Sequence, residues 1–170
     1  GAVSCEGVLV YNETAKDLPL LLMAPNWMGV TEKAIDGARS LAEHGYVVFL
    51  ADMYGLAGRP TGQEVPMEFL GPLIKQPTET RARINAALEA MTQAAKAHGV
   101  GDASRRAAIG YCFGGSNVLD LARSGADVAA VVSMHGNLKT SLPAEPGAVK
   151  AKVLVVHGAD DPTVPKGDRD

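Results

Sequence analysis

Apolar residues along this chain come in short blocks with two alternating spacings. Continuous runs of strand length occupy residues 18–24, 46–51, 106–110, 128–134 and 153–157, as expected of strands covered on both faces. A weaker alternation over 6–11 predicts an edge strand. Between the runs the spacing turns helical. Thr31 can cap a helix to about residue 44 that carries Ile35, Ala38, Leu41 and Ala42 on one face, and Gly45 ends it. A longer helix is predicted over 78–97 from Ile84, Leu88, Met91 and Ala95, with Gly99 and Gly101 beyond it. A third begins near residue 113 with Val118, Leu119, Leu121 and Ala122 and runs to 124. Residues 56–77 hold several Gly and Pro and read as a loop with one short helix near 67–74, the stretch best suited to line a pocket.

Strands alternating with helices predict an α/β fold: a mainly parallel sheet with helices on both faces, in one domain over 1–170. Composition changes this picture little. With 46% apolar and 21% charged residues and a net charge of −3, nothing points to nucleic acid or an anionic membrane as a partner. No apolar run reaches the length of a membrane span. Two cysteines make no disulfide framework, and Cys5 reads as packing or surface. The Asn12-Glu13-Thr14 sequon falls in a turn and reads as chance. The chain opens on Gly1 rather than Met, so the compartment is weakly bounded; cytoplasmic is expected, with periplasmic as the open alternative.

The chemistry concentrates where an apolar run is cut by Gly110-Tyr111-Cys112-Phe113-Gly114-Gly115. Strand, sharp turn and helix in that order are the grammar of a nucleophile elbow, with Cys112 at its tip. Small residues on either side tolerate the strained turn, and a helix N-terminus favours negative charge on what stands there. The Phe113 N–H, opening the helix, is a candidate oxyanion donor. The bland reading is a buried cysteine beside glycines that turn the chain, and the motif alone leaves the two evenly balanced. Asp161 fits the acid that follows the nucleophile in chain order, although an Asp before Pro162 also suits an Asx turn, and Asp160 is a weaker rival. An N–H of the loop at 25–30, Trp27 for choice, would complete the oxyanion hole; Trp27 is otherwise a lid or a core aromatic.

Four motifs stand in one order: Pro25-Asn26-Trp27-Met28-Gly29, Asp52-Met53-Tyr54-Gly55, the elbow, and His157-Gly158 leading through Asp161-Pro162 to Val164-Pro165. Together they resemble the dienelactone hydrolase family, a cysteine-dependent branch of the α/β-hydrolase fold, over residues 6–165. The resemblance implies hydrolysis of a carboxylic ester or lactone through an acyl-enzyme, on a Cys–His–Asp triad, without cofactor or metal. Cys112 would be the nucleophile, Asp161 the acid, and Trp27 and Phe113 the oxyanion amides; Asn26, Tyr54 and His135 would line the substrate pocket.

Two departures qualify it. The family's histidine follows the acid after a further helix and strand, and no His follows Asp161 here. The chain is therefore expected to lack a C-terminal strand and helices, and to self-associate through the sheet edge at 153–156. His44 and His98 sit at predicted helix ends, the template gives His135 no role, and His157 stands too near Asp161 in sequence to be held by it in the usual way. Second, the type enzymes of the family carry a Glu where Asn26 stands, and an amide cannot take the proton. Arg59, Arg81 and Arg83 are available for a substrate carboxylate, though Arg81 and Arg83 read better as a solvated helix face. Other readings are a glutamine-amidotransferase-like fold, which lacks support after the elbow, and a catalytically incomplete fragment serving only as a reactive thiol or binding module.

Overall fold

A computed structural model describes residues 3–59, 64–162, 164 and 167. Its six strands are β1 (Val8–Val10), β2 (Pro19–Ala24), β3 (Val47–Leu50), β4 (Asp102–Tyr111), β5 (Ala130–Met134) and β6 (Lys152–Val156). They form one sheet in the order β1-β3-β2-β4-β5-β6. Only β1 runs antiparallel to its neighbour; the other pairs are parallel. The helices are α1 (Glu32–Glu43), α2 (Met67–Lys75), α3 (Pro77–His98) and α4 (Phe113–Arg123).

Strand periodicity decides which residue faces which layer. Leu20 and Leu22 of β2, with Val47 and Phe49 of β3, pack with Ile84, Leu88 and Met91 of α3 and Val118 and Leu121 of α4. The intervening Leu21, Met23, Val48 and Leu50 pack with Ala38 and Ala42 of α1 on the opposite face. Thr31 caps α1 as the sequence predicts, its Oγ1 accepting the Ala34 N–H at 3.2 Å. Pro77 opens α3 at a position where its missing N–H costs nothing, and Gly99 closes it at φ +65°. The chain enters the sheet at the β1 edge, passes to the interior strand β2, steps from β2 to β3 through α1, then crosses back to β4 on the other side of β2. The carboxyl ends of β2 and β4 thus flank a topological switch point, where open α/β sheets place their sites.

Several expected boundaries move. β4 begins at Asp102, because Pro19 pairs with Asp102 before the register shifts at Leu20; its polar start carries no apolar signal. β1 is only three residues long, and β5 starts two residues after Val128, which is buried in the core ahead of the strand. The last apolar run stands at the sheet edge and is exposed, as expected for 153–156. Val153, Leu154, Val155 and Val156 are 40 to 56% exposed. No helix among the described residues is long and apolar enough to cross a membrane.

Candidate active site

The site grows from the β4–α4 junction. Cys112 stands between strand and helix at φ +54°, ψ −114°, a conformation disfavoured for any residue with a Cβ. Its N–H donates to the Met134 carbonyl at 2.8 Å and its own carbonyl accepts the Ser116 N–H at 3.2 Å, so both sides of the turn are anchored. The glycines allow an approach that no side chain would permit. A Cβ on Gly110 would lie 2.1 Å from the Gly114 carbonyl oxygen, and one on Gly114 would lie 2.2 Å from that of Ala24. The first turn of α4 therefore rests directly on the ends of β2 and β4. Ser116 extends the anchoring, its Oγ accepting the Asn137 N–H at 2.9 Å.

Cys112 opens into a cavity of about 610 Å³. Trp27 and Phe113 line it beside the sulfur, Leu70, Leu73 and Ile74 of α2 form an apolar wall, and His135 and Asn137 contribute from the end of β5. Part of the 56–77 stretch does line the pocket, as expected, through α2; its residues 60–63 lie outside the described residues. Trp27 is 49% exposed at the cavity mouth, which settles against a core aromatic. Asn26 and Tyr54, expected to line the pocket, are not among the described residues that line this cavity. The Asn26 Oδ1 accepts the Met28 N–H at 2.9 Å, and the buried Tyr54 donates its hydroxyl to the Trp27 carbonyl at 2.7 Å. The backbone N–H groups of Trp27 and Phe113 have no acceptor among the described residues. Both belong to residues at the cavity wall, as an oxyanion hole requires.

Asp161 meets two imidazoles. His135 Nε2 lies 2.6 Å and His157 Nε2 3.1 Å from the same Asp161 Oδ2, and the two rings stack with centroids 5.6 Å apart at 9°. His157, read as too near Asp161 in sequence to be held in the usual way, lies close to it because the turn after β6 brings Asp161 back over the strand end, with its N–H on the Gly158 carbonyl at 3.3 Å. His135, to which the template gives no role, comes close to Asp161 for a related reason. Its residue adopts φ +61° at the tip of β5, with its N–H on the Val156 carbonyl, and this swings the ring toward Asp161. His135 is half exposed and lines the cavity; His157 is buried beneath it. In the terminal motif, Val164 also lines the cavity, while Pro165 lies outside the described residues.

The arginines are not a solvated face. Arg81 bonds the Leu142 carbonyl at 2.5 Å and lies 3.4 Å from Asp120, which Arg123 also meets at 3.1 Å; these contacts tether the loop before β6 to α3 and α4. Arg83 donates to the Met53 carbonyl at 2.7 Å and to Glu79 at 2.8 Å, and Arg59 lies against Asp52 and the Glu6 carbonyl. All three candidates for a substrate carboxylate are thus engaged within the fold. Among the described residues the cations that line the cavity are Lys75 and Lys139. Sequence reasoning passed over both, since isolated lysines in a loop or at a helix end carry no pattern. Among the described residues no group of three or more His, Cys, Asp or Glu is arranged to hold a metal ion.

A mainly parallel sheet with a strained residue on a strand–helix elbow, beside two backbone N–H groups that have no acceptor among the described residues, at the switch point, is the architecture of an α/β-hydrolase. The family model of the dienelactone hydrolase family matches residues 5–170, and the chain belongs to that family. Among curated relatives it is 29% identical to a Salmonella typhimurium protein named as a carboxymethylenebutenolidase, over 88% of this chain and 57% of the relative. A Yersinia pestis protein of the same name is 28% identical, over 86% and 57%. The chain spans little more than half the length of these relatives. Among solved structures, a dienelactone hydrolase-like promiscuous phosphotriesterase from metagenomic libraries superposes with a TM-score of 0.81 at 33% identity, covering 97% of this chain and 67% of that one. The structure m3DLH gives 0.82 at 35% identity, covering 98% and 68%.

Proposed function

We propose that this chain hydrolyses a carboxylic ester or lactone with Cys112 as nucleophile. The observation that carries the reading is Cys112 itself, a non-glycine residue at φ +54° that opens into the cavity near two backbone N–H groups without acceptors among the described residues. Sulfur attacks the acyl carbon, and its proton passes to the imidazole that Asp161 anchors. The carbonyl oxygen becomes an oxyanion held by the Trp27 and Phe113 amides. Collapse expels the alkoxide, which takes the proton from the imidazolium and leaves a thioester on Cys112. Water, deprotonated by the same imidazole, then releases the acid and restores the thiol. In a lactone the leaving oxygen stays tethered, so a single hydroxy acid or its tautomer departs.

Among the described residues the imidazole both on Asp161 and in the cavity is His135. The family resemblance instead expects a histidine after Asp161. The apolar α2 wall suits a hydrocarbon acyl or alcohol portion, and Lys75 and Lys139 suit a substrate carrying a carboxylate. Hydrolysis of p-nitrophenyl acetate tests the core of the reading. Cys112→Ala is expected to abolish turnover, and full turnover by that variant would overturn the nucleophile assignment. His135→Ala separates the two candidates for the base: a loss on the order of 10³-fold or more places His135 there, by comparison with other triads. Turnover retained in that variant removes His135 as the base.

A further inference from the structure

Tyr54 is buried, yet the chemistry described so far gives it nothing to do. Its contacts are unusual in that they reach both oxyanion donors. The hydroxyl donates to the Trp27 carbonyl at 2.7 Å, and the ring stacks on Phe113 with centroids 6.2 Å apart at 17°. Gly29, at φ +72°, lies flat against the same ring, where a Cβ would stand 2.9 Å from Cδ2.

The loop around Trp27 has few ways to move once these contacts are counted. The Asn26–Trp27 peptide is held by its carbonyl, which accepts the Gly29 N–H at 3.0 Å. The Trp27–Met28 peptide is held at both ends, its N–H on Asn26 Oδ1 at 2.9 Å and its carbonyl on Tyr54. The Trp27 N–H is part of the first of these peptides, so holding both peptides fixes its direction. Of these holds only the Tyr54 bond comes from outside the loop.

Tyr54 is itself rigid. Asp52 Oδ1 accepts the N–H groups of Tyr54 at 3.0 Å and Gly55 at 2.9 Å, its Oδ2 accepts the Glu6 N–H at 3.1 Å, and Arg83 ties the Met53 carbonyl to α3. Burial first, and the neighbouring Cys112 second, push the Tyr54 hydroxyl above the ordinary phenol range, so it stays a donor at any assay pH.

We infer that Tyr54 is a positioning residue for the oxyanion hole: through the Trp27 carbonyl and the Phe113 ring it aims both amides at the oxygen of the tetrahedral intermediate. The inference rests on the reading of Cys112 as nucleophile. Preorganised donors work because they need no reorganisation when charge develops, and a misdirected amide forfeits part of the 10²- to 10³-fold that such a donor supplies. Asn26 takes a matching part from within the loop. Where the type enzymes carry a carboxylate, this chain spends the side chain on holding the Met28 amide.

The test compares acyl transfer with alkylation at one sulfur. Tyr54→Phe keeps the ring and removes only the hydroxyl. The maximal acylation rate, read as the p-nitrophenolate burst from p-nitrophenyl acetate, is expected to fall about tenfold, a fraction of the loss of a whole donor. The half-saturating ester concentration stays within about twofold, as for an interaction made only in the transition state. Alkylation of Cys112 by iodoacetamide stays within about twofold as well, because displacement at saturated carbon develops no oxyanion. Asn26→Ala releases the other end of the same peptide with Tyr54 in place, and the same split is expected, which keeps the test open if Tyr54→Phe fails to fold. An unchanged burst in Tyr54→Phe overturns the inference, as does an equal loss of burst and alkylation, which would make the hydroxyl a prop for the fold. If Cys112→Ala still gives a burst, the nucleophile assignment is what fails, and that outcome is read independently of Tyr54.

Discussion

At the scale of single residues the two cysteines make opposite cases. Cys112 opens into the cavity from the turn between β4 and α4. Cys5 is exposed, but partial desolvation and then the Asp52 carboxylate push its thiol above the ordinary range. Thiolate is the reacting form. Iodoacetamide near neutral pH is therefore expected to label Cys112 faster than Cys5, as read by peptide mass spectrometry; faster labelling of Cys5 would remove the elbow's chemical distinction. Asp102 offers a second check, at the start of β4. Its carboxylate is held down to about 2 by the Ser104 hydroxyl first, then by the Ser104 N–H and the Arg105 guanidinium. A lowered carboxylate contributes stability that is complete above its ordinary 3.8 and is lost as pH falls toward about 2. A carbon-detected NMR titration is expected to place the Asp102 midpoint near 2, and Ser104→Ala to move it back toward 3.8.

At the scale of elements the elbow is held by absence of side chains, and its glycines differ sharply from the others. A Cβ on Gly114 would meet the carbonyl oxygens of Ala24 and Pro25 at 2.2 and 2.4 Å, and backbone cannot step aside. Gly114→Ala is expected to cost about 3 kcal/mol or more, at the upper end of overpacking losses. Gly147 has nothing within 4 Å of its would-be Cβ and carries only the strain of φ +77°, so Gly147→Ala should cost about 1–2 kcal/mol. Urea denaturation of the two variants reads the difference, and equal losses would mean that α4 can back away from β2. The elbow was legible in the sequence for the same reason: close approach demands glycine, and glycine leaves a mark. The capped start of α1 and the α3 core face were legible because capping and helical spacing are local. What escaped was set by distance in space. The grip of Asp161 on His135 and His157 joins the ends of two strands through a turn. The polar start of β4 pairs without burying anything. Arg81 and Arg83 look solvated until the loop before β6 and the end of β3 come to meet them.

At the scale of the molecule the two edges of the sheet are unlike. β1 is a three-residue antiparallel edge, short in the manner that blunts unwanted pairing. β6 pairs with β5 along one side and, among the described residues, with nothing along the other. Its Val153, Leu154, Val155 and Val156 present apolar side chains on both faces beside a row of unpaired backbone groups. Such an edge combines the two features that recruit a further strand, open hydrogen-bonding groups and apolar surface. The chain of residues 1–170 is therefore expected to self-associate, with a weight-average mass in sedimentation that rises with concentration above 17.7 kDa. Leu154→Lys should suppress the rise, because a charge at an edge strand opposes pairing with a second copy while costing little at a position already 56% exposed. Cys112 alkylation serves as the control that the site is intact in the variant. A stable monomer in the unsubstituted chain would show that the outer side of β6 is covered by residues that are not described, and Leu154→Lys would then cost stability instead of relieving association.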